Sequence, residues 1–133
     1  MAKNINRDYI IELVCRFDVP FCGNKFELVS QEREIFFYKH DRNQTIYAII
    51  HDWDETLSLR LGLLFPLDKC KRIEEYEPVL IGTEGQDTIF KIELNPEVLS
   101  TVGTFKYQLF AEDKSTGKVL SSGIGKLKVK DCL

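Results

Sequence analysis

The chain has 133 residues, of which 44% are hydrophobic and 29% charged, and its formal net charge is -3. That length supports about one domain whose core needs neither disulfide nor metal, and the apolar and charged fractions exclude a disordered chain. Nothing in the charge pattern tracks phosphates: the lysines of Gly125-Lys126-Leu127-Lys128-Val129-Lys130 alternate with apolar residues, as on one charged strand face, so nucleic acid is not an expected partner.

The start, Met-Ala-Lys-Asn-Ile-Asn-Arg-Asp, carries no apolar export region, and residues 1–7 are expected to be loose ahead of a single domain spanning 1–133. No window approaches the ~18 apolar residues of a membrane span. Cys132 stands second from the end rather than fourth, so no prenyl anchor is expected. Cys15, Cys22, Cys70 and Cys132 form no C-x-x-C pair, and with two histidines they suggest free thiols rather than a zinc site or disulfides.

Tyr9, Ile11, Leu13, Cys15 and Phe17 fall on one side of an extended segment, with Glu12 and Arg16 opposite, which predicts a first strand over a competing helix. Pro20, Gly23 and Asn24 break it. Further strands are expected over Lys25 to Ser30, Glu34 to Lys39 and Gln44 to His51. The clearest alternation follows, with Leu57, Leu59, Leu61, Leu63 and Phe65 facing one way. Residues 66–78 read as loop or short helix, with a ragged edge strand over Ile73 to Tyr76 as the competitor, and 83–87 read as a loop tip.

Thr88 to Leu94 resumes strand alternation. Asn95 is a good N-cap and Pro96 suits the first helical position, so a short helical turn is expected from Asn95 to Val102, ended by Gly103. Its expected role is a plug across the end of a core, with Val98 and Leu99 inward. Thr104 to Asp113 is the next strand, and a hairpin at 114–118 returns through Ser121-Ser122 to a last strand, Gly125 to Lys130. Gly123 and Gly125 mark a bulge. Seven to nine short strands with turns about every ten residues predict an all-β, immunoglobulin-like antiparallel β-sandwich.

Chemistry is harder to find. His51-Asp52-Trp53-Asp54-Glu55 gathers a histidine and three carboxylates, but the spacing does not wrap one ion, and a solvated turn with Trp53 folded onto the sandwich is the better reading. His40-Asp41 has no nucleophile elbow, metalloprotease helix or activated cysteine beside it. Neither a catalytic set, a cofactor-binding motif nor a metal set emerges, so the chain does not read as an enzyme. Aromatic ligand contacts at Trp53, Tyr38 and Tyr76 remain as a carbohydrate-binding alternative, with Tyr9 and Tyr47 as further candidates.

The segment Phe36-Phe37-Tyr38-Lys39-His40-Asp41-Arg42-Asn43-Gln44-Thr45-Ile46-Tyr47-Ala48-Ile49 is similar to the opening of the N-terminal immunoglobulin-like module of phage baseplate upper proteins. The run IFKIELNPEVLSTVGTFKYQLFAEDKSTGKVLSSGIGKLKV resembles that module's closing pattern of strand, short turn ending in glycine, hairpin and last strand entered through Ser-Ser. The likeness spans Glu34 to Val129. It implies a virion part that docks on a tail baseplate or fibre hub, partners other virion structural proteins, is oligomeric within the particle, and helps attachment to a host receptor, with host surface carbohydrate a further partner.

Overall fold

The computed structural model describes residues 10–19, 23–28, 34–41, 44–66 and 72–131. Among them the chain forms β1 (Ile10–Val19), β2 (Gly23–Leu28), β3 (Glu34–Tyr38), β4 (Thr45–His51), β5 (Leu57–Leu64), β6 (Ile73–Tyr76), β7 (Val79–Glu84) and β8 (Asp87–Glu93). A four-residue helix, α1 (Pro96–Leu99), precedes β9 (Gly103–Asp113), β10 (Lys118–Ser121) and β11 (Gly125–Lys130). They build two mixed sheets packed as a sandwich. The first runs β2-β1-β4-β8-β7 and the second β3-β11-β9-β5-β6, with β10 also on β9.

Alternation sets the layers. Leu57, Leu59, Leu61 and Leu63 of β5 meet Phe105, Leu109 and Ala111 of β9 on the inner face of the second sheet. Ile46, Ala48 and Ile50 of β4 and Phe90 and Ile92 of β8 face them from the first. All of these side chains belong to one buried cluster, whose removal from water is the main stabilising term.

Two features depart from the sequence expectation. β1 pairs with β4, and β3 with β11, in parallel. Neither pair is joined by a hairpin, so no tight turn imposes the antiparallel direction. The strand count exceeds nine because β6 forms within the segment read as loop or short helix, and β7 forms over residues for which no element is expected, running into the expected loop tip. β6 has an exposed–intermediate alternation and β7 a bulge between Leu80 and Gly82, so neither carries a clean apolar period.

The helical turn is shorter than expected but acts as the plug. α1 carries the chain from β8 of the first sheet to β9 of the second, and Val98 and Leu99 are 0% and 1% exposed. Asn95 does occupy the N-cap, yet its side chain makes no cap bond, because the Val98 N–H already donates to the Asn95 main-chain oxygen at 3.0 Å. The Asn95 amide reaches the Glu74 carboxylate instead. At the other end the Ser100 and Thr101 hydroxyls both donate to the Glu97 carbonyl, at 3.0 and 2.9 Å. Gly103 opens β9 rather than closing the helix; its φ is 144° and a Cβ there would stand 2.6 Å from Pro66 Cγ.

Cys15 lies in β1, but the state of its thiol, and Cys22, Cys70 and Cys132 altogether, fall outside the described residues and side chains, as do residues 1–7. No described helix is long and apolar enough to cross a membrane.

Candidate functional site

The outer face of the second sheet divides into two halves. On the β3 side, Lys126, Lys128 and Lys130 of β11 stand beside Glu34, Phe36 and Tyr38. Lys128 Nζ lies 3.4 Å from a Glu34 carboxylate oxygen, and Lys130 Nζ sits 4.4 Å from the Phe36 ring centroid. The expected charged strand face is therefore present, with Lys128 and Lys130 engaged locally.

The β6 side carries an apolar patch among polar residues. Register places Leu64 opposite Ile73 and Gly62 opposite Glu75 across β5 and β6, and Arg60 opposite Phe110 across β5 and β9. All of these but Arg60, together with Ile124, line a shallow depression of about 300 Å³. Ile73 is 67% and Ile124 56% exposed, so large aliphatic surface stands in water beside the depression. A Cβ on Gly62 would lie 3.4 Å from the Phe110 ring, at van der Waals contact, so the ring packs over this glycine. Arg60 borders it, 5.7 Å from the Phe110 centroid and with Nη1 3.9 Å from Glu75 Oε1.

Ile124 stands out because the strand beside β9 is broken there. The Ser122 hydroxyl accepts the Leu109 N–H at 3.0 Å and donates to the Gly123 carbonyl at 2.8 Å, while Gln108 Nε2 donates to the Ser122 carbonyl at 2.7 Å. Side chains thus replace the ladder bonds that the break would remove. The bulge read from Gly123 and Gly125 is this break; its role in presenting an isoleucine had no signal in the sequence.

A second feature is a cleft of about 690 Å³ whose lining includes Trp53. Trp53 packs edge-on to Phe90, ring centroids 5.6 Å apart at 83°, and is half-buried against the core, as the sequence suggested. The Asp54 carboxylate next to it accepts the Thr56 N–H at 2.9 Å and the Thr56 hydroxyl at 2.8 Å, and those bonds hold it below the usual carboxylate range. His51 Nδ1 lies 2.5 Å from Asp87 Oδ1, across the β4–β8 pair. Among the described residues, no three His, Cys, Asp or Glu side chains converge as metal ligands.

The three aromatic candidates do not share a surface. Tyr38 is exposed on β3, at one edge of the second sheet, while Tyr76 is on β6 at the other. Tyr76 is turned toward the core, where its hydroxyl accepts the Asn95 N–H at 3.2 Å and burial raises its pKa. Trp53 belongs to the cleft.

The geometry is that of an all-β sandwich module with an apolar patch on the outer face of its second sheet. No family model and no curated protein matches the chain. Among solved structures it is similar to the N-terminal domain of phage TP901-1 ORF48, with a TM-score of 0.55 and 14% identity over 92% of this chain and 97% of that one. At that identity the likeness is one of fold.

Proposed function

We infer that this chain is a non-catalytic structural module of a phage particle, docking on a tail baseplate or fibre hub and thereby helping attachment to the host. The observation that carries the reading is the exposed apolar surface around Phe110, Ile73 and Ile124, which has the character of a protein-binding patch bordered by charge. The fold likeness to a phage domain supports the particle, and the sequence resemblance of Glu34 to Val129 to baseplate upper proteins supports the tail. In this reading the partner is another virion structural protein, and oligomerisation follows from the symmetry of the hub.

Mass spectrometry of particles purified from the phage that encodes the chain tests the reading. Tryptic peptides at copy numbers comparable to tail proteins are expected. Their absence from intact particles would remove the virion role.

A further inference from the structure

The geometry points to the Trp53 cleft as a binding site for a small uncharged saccharide, an assignment that stands on the cleft alone and not on the particle role.

The cleft exists because β6 is short. It pairs with β5 only from Leu61 to Leu64, and at Glu77-Pro78 the chain leaves the second sheet to become β7 of the first. Among the described residues no strand pairs with the N-terminal half of β5 on that side, and the gap opens between it and β7 and β8. Leu59, Leu80 and Phe90 line it with apolar surface, and Trp53 contributes to the same lining. Glu55 and Glu77 flank the opening with acceptors, and Lys114 with a donor.

That combination matches the chemistry of a sugar ring. A pyranose has an apolar C–H face that packs on an indole, and a rim of hydroxyls that donate to carboxylates and accept from ammonium groups. The volume suits a ligand of one or two rings. Three carboxylates, Glu55, Glu77 and Glu112, stand against two cations, Arg60 and Lys114, so the lining is close to balanced and favours an uncharged ligand over a polyanion. An added peptide strand fits less well. The Leu57 N–H is already given to the Asp54 carbonyl at 3.0 Å, and Pro78 has no N–H, so the open edge offers few main-chain bonds.

Trp53 is the chain's single tryptophan, so its emission reports this cleft alone. The experiment titrates the protein with glucose, galactose, N-acetylglucosamine and their β-linked disaccharides, and separately with an extended Thr/Val peptide. A saturable emission shift with at least one sugar is expected, half-complete on the order of 1 mM. Amide shifts in NMR should map the same sugar to β5, β7 and the Trp53 turn. Glu77→Gln should weaken it about tenfold at an unchanged melting temperature, the loss expected for one charge-assisted bond. No saturable change with any sugar up to about 50 mM, a range that would reveal even fragment-level affinity, overturns the proposal. So does binding undiminished in both Glu77→Gln and Trp53→Ala by NMR, or a response to the peptide alone.

Discussion

The phenol ring of Tyr107 lies on the α-carbon of Gly125 in the neighbouring strand: a Cβ at that glycine would fall 2.1 Å from Tyr107 Cζ and 2.3 Å from its oxygen. The two residues are directly opposed in the β9–β11 register, and Tyr107 is buried. Gly125→Ala should therefore cost about 1–3 kcal/mol through overpacking. Tyr107→Leu in the same chain should recover part of that loss, a coupling that urea denaturation of the four-member cycle measures. An unchanged midpoint for Gly125→Ala would show that the ring moves aside freely.

Burial has a second effect on the same residue, pushing the Tyr107 pKa from the ordinary 10.0 to about 12. Below pH 10 the phenol is neutral in both folded and unfolded chains. Between about 10 and 12 the unfolded chain releases this proton while the folded one keeps it, so stability falls as pH rises, by about 1.4 kcal/mol per unit. Chemical denaturation of Tyr107→Phe over that range should show a shallower decline than the wild type. Parallel declines would place the ionisable hydroxyl elsewhere.

The helical turn supplies the next expectation. Leu99 is fully buried, and its carbonyl accepts the His40 N–H at 3.0 Å, tying the plug to the end of β3. Leu99→Ala should cost about 2–4 kcal/mol through the cavity it leaves. Gly103→Val should also destabilise, because a side chain at φ 144° meets Pro66. A Leu99→Ala protein with an unchanged melting temperature but lost partner binding would make the turn an interface instead of a plug.

Ser122 is a smaller test of the broken strand. Its hydroxyl is the acceptor for the buried Leu109 N–H, so Ser122→Ala should cost about 1–3 kcal/mol, the range for stranding a buried donor. Hydrogen exchange at Leu109 should accelerate selectively. Equal protection in both proteins would mean another acceptor takes over.

These outcomes concern features that differ in how far the sequence reveals them. The leucines of β5 and the aromatic run of β9 alternate cleanly because each strand has one core face, so the sandwich and its inner layer are readable from period alone. Asn95-Pro96 marks a helix start whatever lies around it, and so the plug is readable too. β7 is not, since its residues are exposed to half-buried on both faces and Gly82 interrupts them. The parallel pairs are set by how strands cross between sheets, a long-range property with no local signature. The candidate site has the same character: Leu64, Ile73, Phe110 and Ile124 come from distant segments, and only strand register shows that they share a face.

The docking face itself is tested most directly by co-expressing the chain with the products of its flanking genes and measuring complex mass by light scattering after size exclusion. The wild type should co-elute with one of those products as an assembly of defined stoichiometry. Ile73→Asp with Ile124→Asp should leave the chain monomeric at an unchanged melting temperature, because both side chains already stand in water and contribute little to the fold. Co-elution that survives both substitutions, or a wild type that associates with none of the products, would contradict a docking role for this face.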